Sequence, residues 1–145
     1  MLDKFSKEKR SIIMSRIAGK ETKPEIEIRK FLFARGFRYR KNVKWLPGKP
    51  DIVLPKYKTV IFLHGCFWHR HEGCRRSKAP ETRREFWKKK ISGNVSRDKS
   101  NIEALREQEW NVIVIWQCEM KNKMDTEKRL ELLVREIDEM APNRA

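Results

Sequence analysis

The sequence predicts an α/β fold, and three observations carry that prediction. Short apolar runs rich in β-branched residues, "DIVL" (51–54), "TVIFLH" (59–64) and "NVIVIW" (111–116), read as strands, the last two buried. Segments with helical signals bracket these runs along the chain. At 145 residues the chain fits one domain with one modest core, spanning 1–145, in which helices flank a small central sheet.

The elements follow in order. Residues 1–20 are basic with scattered apolar positions, Phe5, Ile12, Ile13, Met14 and Ile17, and read as a short helix or an arm that orders on binding. "TKPEIEIRKFLFARGF" (22–37) is a helix: Thr22 and Glu25 have capping-box spacing, Pro24 lies in the first turn, and Gly36 supplies a stop. "WLPGKP" (45–50) and "PKYK" (55–58) are turns around the first strand. Residues 81–108 read as helix in two pieces, broken near "SGN" (92–94). "DTEKRLELLVREIDEM" (125–140) is an amphipathic helix with apolar positions at Leu130, Leu133, Val134 and Ile137. Trp45, Trp110 and Trp116 are expected in or near the core.

The charge is large and unevenly spread. The chain carries a formal +15; residues 1–50 hold 15 Lys/Arg against 5 Asp/Glu, residues 75–100 hold 10 against 3, and residues 119–145 hold 6 against 7. Basic charge confined to part of a chain and interleaved with Trp and Phe implies a face that meets a nucleic-acid backbone. No apolar run approaches the ~18 residues of a membrane span, and the N-terminus lacks the apolar centre of a secretory signal. The cytoplasm is therefore the expected compartment, where three cysteines serve as metal ligands or core residues rather than disulfides.

The stretch "HGCFWHRHEGC" (64–74) holds all three histidines and two of the three cysteines. Cys66, His71 and Cys74 are zinc-type ligands in a polar loop, where packing alone is a poor account of them. A tetrahedral zinc needs a fourth ligand, and Cys118 follows the strand at 111–116. If that strand neighbours 59–64, a Cys3His site would staple a loop with little core of its own. His64 and His69 are left over. Asp51 opens one strand and His64 closes the next, so antiparallel neighbours would bring an acid and a histidine together. That pair is the minimum for metal-assisted phosphodiester hydrolysis. "KPD", a spacer of about ten residues and an apolar strand ending in polar groups is the general layout of restriction-type nucleases. The usual Glu-x-Lys of that layout is replaced by Phe62-Leu63-His64.

"LPGKPDIVL", "VIFLHGCFWHRH", "TRREFWKKKISGNVSRD" and "LREQEWNVIVIWQCE" together resemble the very-short-patch-repair (Vsr) DNA mismatch endonucleases, over about Ser11 to Glu119. The resemblance implies a restriction-endonuclease-like core with a small mixed sheet and a structural zinc. It implies a Mg²⁺-dependent enzyme that nicks one strand of duplex DNA 5′ of the thymine of a T:G mismatch. Asp51 and the backbone carbonyl of Leu63, where the family often has threonine, correspond to the Mg²⁺ ligands. His64 corresponds to a histidine at the scissile phosphate, His69 to the group that activates water, and Asp98 to its orienting carboxylate. Glu25 matches a family glutamate near the active site and is equally explained as a capping-box residue.

Cys66, His71, Cys74 and Cys118 correspond to the zinc ligands. Phe67, Trp68 and Trp87 match aromatics that wedge between base pairs, and unstacking costs least at a mismatched step. Met14 matches a wedge residue from an N-terminal DNA-clamping segment, here 1–20, unless it only packs an amphipathic helix. Lys90 and Asn94 match DNA-contacting residues. The implied protein is a bacterial, cytoplasmic, nucleoid-associated monomer whose partner is double-stranded DNA, together with mismatch-repair proteins. A Vsr-like restriction or nicking enzyme without a mismatch requirement, and a non-catalytic zinc-stabilised DNA-binding protein, are the alternatives.

Overall fold

The computed structural model describes residues 22–41, 43–78 and 80–140. The N-terminal segment 1–20, with Met14, lies outside the described residues. A mixed four-stranded sheet is the centre of the fold. Its strands are β1 (Arg40–Lys41), β2 (Ile52–Leu54), β3 (Thr59–His64) and β4 (Asn111–Trp116), in that spatial order. β1–β2 and β2–β3 are antiparallel and β3–β4 is parallel. Three helices complete it: α1 (Lys23–Ala34), α2 (Arg84–Glu107) and α3 (Lys123–Met140).

Strand alternation sends side chains to opposite faces. Ile61, Ile113 and Ile115 pack with Ile28 and Leu32 of α1 and Leu130, Leu133 and Ile137 of α3. Val60, Phe62 and Val112 pack with Leu105 of α2 and with Val43 and Leu46. Both faces of the β3–β4 pair are thus covered, which is why these strands read as unbroken apolar runs. Each fully buried Leu or Ile, such as Leu32, Ile61 and Leu133, contributes about 1.5–3 kcal/mol of burial. The parallel connection from β3 to β4 is carried by α2, so a basic helix returns along the sheet.

Three expectations are corrected. First, 81–108 is not two helical pieces: α2 runs unbroken through Ser92-Gly93-Asn94. One glycine costs about 1 kcal/mol in a helix interior. Here Arg97 lies across Gly93 and hydrogen-bonds Asn94, whose side chain is anchored to the Trp68 carbonyl. Second, β1 was not foreseen, because two exposed charged residues on a sheet edge carry no apolar pattern. Third, Trp45 is 72% exposed rather than near the core, whereas its neighbour Leu46 is buried. The Thr22 hydroxyl accepts from the Glu25 amide at 3.4 Å, as a cap should. Among the described residues no helix is long and apolar enough to cross a membrane.

Candidate active site

The β2–β3 hairpin and the parallel β3–β4 pair bring the predicted residues to one end of the sheet. Asp51 immediately precedes β2, and its Oδ2 accepts the Leu63 amide of β3 at 2.7 Å. Register places His64 opposite Trp116 at the ends of β3 and β4. A cavity there is lined by Asp51, Leu63, His64, His69 and Asp98, together with Gly48, Lys49, Phe62, Asn101 and Ile102.

His69 reaches this cavity from the loop after β3, and Asp98 from the middle of α2. Their Nδ1 and Oδ2 atoms are 2.6 Å apart. An Nδ1–H donated to Asp98 leaves Nε2 with a free lone pair on a residue that lines the cavity. The His64 and His69 rings stack at 3.9 Å, only 6° from parallel. Burial, then the neighbouring His69, lowers the pKa of His64 to about 4, so His64 is neutral near pH 7. A neutral imidazole can still donate one hydrogen bond to a phosphate oxygen.

Glu25, from the first turn of α1, faces Asp51. Burial, and next the Asp51 carboxylate, push the Glu25 pKa up to about 7. Burial also raises Asp51, against the lowering effect of the Leu63 amide. Arg29 bonds the far side of Glu25 at 3.5 Å, which relieves the pair only partly. Two carboxylates crowded in a half-buried site make a donor set suited to a hard divalent cation. The residues present therefore fit Mg²⁺. Glu25 makes only half of the capping box, since its carboxylate serves Arg29 and Asp51 instead of the helix start.

In the second cluster Cys66, His71 and Cys74 share the loop after β3 with His69, and Cys118 follows β4. The ligand atoms of Cys66, His71, Cys74 and Cys118 all lie within 4.8 Å of one another. Cys118 Sγ is 3.3 Å from His71 Nδ1. Zinc bonds of about 2.0–2.3 Å place tetrahedral ligands about 3.3–3.8 Å apart, so the set needs only a small contraction. Burial, then Cys66 and Cys74 beside it, push the Cys118 thiol up to about 12. Crowded thiols cannot all ionise without a cation between them, which is the chemistry of a zinc site rather than of an apolar core. The parallel pairing explains the convergence: Cys118 lies two residues past Trp116, as Cys66 lies two past His64.

Trp116, expected only as core, joins the two clusters. It stacks on His71 at 4.2 Å and meets His64 edge-on at 5.2 Å. Its position at the end of β4, facing His64 across the pair, was the available signal. Lys49 and Asn101 also line the cavity without having been singled out.

Phe67, Trp68 and Trp87 form a mutual edge-to-face cluster with centroids 5.2–5.7 Å apart. Phe86 extends it, and Trp68 and Phe86 are exposed. Lys90 Nζ lies 5.6 Å from the Trp68 ring, and Asn94 holds the Trp68 carbonyl at 3.1 Å. Phe67 and Trp68 come from the polar loop and Phe86 and Trp87 from the first turn of α2, and their partial to full exposure distinguishes this cluster from the two buried faces of the sheet.

Comparison with known proteins identifies the family. The profile of the DNA mismatch endonuclease Vsr family matches residues 2–76. The chain is 53% identical to the type II nicking enzyme V.NmeAIP of Neisseria meningitidis, covering 94% of this chain and 97% of that one. It is 43% identical to the type II nicking enzyme V.XorIIP of Xanthomonas oryzae, over 90% of this chain and 95% of that one. It is 42% identical to the DNA mismatch endonuclease Vsr of Escherichia coli, over 85% of this chain and 78% of that one. An acid, two stacked histidines and a Cys/His cluster at the end of a mixed sheet therefore belong to a DNA endonuclease, and the chain is a member of the Vsr family.

Proposed function

We propose that the protein is a Mg²⁺-dependent endonuclease that nicks one strand of duplex DNA 5′ of the thymine in a T:G mismatch, opening a short repair patch. The observation that carries the reading is the 2.6 Å His69–Asp98 contact in the cavity that also holds Asp51 and His64, beside an exposed aromatic cluster. Asp98 fixes the His69 tautomer, and His69 Nε2 takes a proton from the attacking water. Neutral His64 donates to an oxygen of the scissile phosphate. Asp51 and the Leu63 carbonyl would hold Mg²⁺, with Glu25 beside them; the bound ion would stabilise charge on the phosphate and the leaving oxygen. Cys66, His71, Cys74 and Cys118 would hold a structural zinc that fixes the loop.

Phe67, Trp68 and Trp87 wedge into the step beside the mismatch, where stacking is weakest. Lys90 and Asn94 contact DNA at their base, and Met14 and the basic segment 1–20 clamp the opposite groove. The fold is read as a restriction-endonuclease-like core in a single domain over 1–145. The protein acts as a monomer in the bacterial cytoplasm on nucleoid DNA, with mismatch-repair proteins as partners.

The 53% identical relative is called a type II nicking enzyme, which favours a second reading: a Vsr-like nuclease with no mismatch requirement. End-labelled duplexes with Mg²⁺, one carrying a single T:G pair and one fully paired, separate the two. A nick 5′ of the mismatched T on that strand alone is the expected result. Equal cutting of both duplexes selects the second reading. Binding without cutting sinks both and leaves a non-catalytic zinc-stabilised DNA-binding protein.

A further inference from the structure

We infer that Lys49 grips the DNA phosphate at the cavity and positions it for cleavage; the inference rests on the endonuclease reading above. Four observations lead there. Among the described residues, Lys49 is the only lysine or arginine lining the cavity, whose other carboxylate or ammonium groups are Asp51 and Asp98. Asp51 and Asp98 oppose an incoming phosphodiester, and a cationic side chain at the cavity adds to the compensation that a Mg²⁺ held by Asp51 would supply. Lys49 is exposed and makes no ion pair or side-chain hydrogen bond among the described residues. Its ammonium is therefore available to a ligand.

The backbone points the same way. Lys49 holds φ +50, a left-handed conformation that disfavours a residue with a Cβ, and it precedes Pro50, which further restricts it. Such strain persists only where the surroundings impose it, and functional sites are where it collects. The surroundings here are visible. Gly48, at φ +75, lies so close to Asn101 and Phe62 that a Cβ would meet both at 3.1 Å. The loop is thus pressed onto α2 and the sheet, one residue before Lys49 and three before Asp51. A glycine at position 49 would relieve the strain; Lys58, Arg70, Arg83 and Glu109 share a positive φ, but Lys49 alone of these five lines the cavity.

The test uses the full-length protein and the variants Lys49→Gln, Lys49→Arg and Lys49→Gly. Binding is measured without Mg²⁺ over a series of NaCl concentrations, on mismatched and paired duplexes. Losing one phosphate contact should reduce the slope of log K against log[NaCl] by about 0.9 for K49Q, equally on both duplexes. Single-turnover nicking at saturating protein should fall about 10²-fold, as for loss of one group aimed at developing charge. K49R should recover most of the rate. K49G should nick as slowly as K49Q while melting no lower than the parent protein. An unchanged salt slope, or a saturated nicking rate equal to that of the parent, overturns the inference. Failure of the mismatch reading is seen separately, in the parent protein's choice between duplexes, and leaves the salt slope to judge Lys49.

Discussion

Two clusters meet on the loop after β3 and are held in opposite ways. His64, His69 and Asp98 are fixed by ring stacking, a short hydrogen bond and the sheet beneath them. Cys66, His71, Cys74 and Cys118 cap a stretch, 70–78, with hardly any buried apolar side chain. The first cluster needs its loop already in place; the second is what can put it there. Cys66 and His71 alternate along the chain with His64 and His69, so one backbone conformation serves both, and Trp116 touches a histidine from each. The difference teaches that the second cluster lies outside the cavity and meets the first through the shared backbone and the Trp116 ring.

Breaking the holding cluster should have the largest effect. Cys118→Ser should release zinc, lower the melting temperature, and abolish both nicking and mismatch binding, because metal affinity in such loops is folding energy. Zinc content, thermal melts and gel shifts check this; full nicking by a zinc-free variant would detach the clusters. Breaking the other cluster should separate chemistry from binding. Asp51→Ala should remove cleavage below detection while mismatch affinity stays within about threefold. His69→Ala should cost about 10²–10⁴ in single-turnover rate, and Asp98→Asn, in the orienting role proposed for it, about 10–100-fold.

A smaller effect tests the aromatic cluster. Trp68→Ala should weaken mismatch affinity by about 1–3 kcal/mol, the usual worth of one stacked base, with little change in rate at saturation. Equal weakening on paired DNA would argue that Trp68 is not a wedge.

The smallest effect sharpens the electrostatics of Glu25 and Asp51. Glu25 is raised from 4.5 to about 7 in the folded protein. The folded state therefore binds the proton more tightly than the unfolded chain. That stability is fully present below about pH 4.5 and is lost as pH rises through about 7. Without Mg²⁺, Glu25 lowers stability between pH 5.5 and pH 8, while His64, whose pKa is lowered to about 4, raises it over the same window. The Glu25 contribution is therefore read as the pH dependence of melting in the parent minus that in Glu25→Gln. Added Mg²⁺ should stabilise the parent mainly at pH 8. Glu25→Gln should remove the fall in stability toward pH 8 and leave the rise that His64 supplies.

Legibility followed locality. The runs 59–64 and 111–116 were readable because burial on both faces leaves continuous β-branched residues. The cap at Thr22 and the stop at Gly36 were readable because they are short-range backbone chemistry. The α2 break was misread, since the Arg97 and Trp68 contacts that support Ser92-Gly93-Asn94 are partly remote. Trp45 was misplaced because aromatic character alone does not set burial.

The sequence by itself determined the α/β class, the basic faces and the residue types of both clusters, since composition and period reflect local free energies. Tertiary structure alone decided their geometry. Parallel pairing of β3 with β4 set Cys118 beside Cys66; α1 delivered Glu25 to Asp51; the unbroken α2 carried Asp98 to His69 across 29 residues. Such contacts depend on the register and docking of whole elements, which local pattern does not specify.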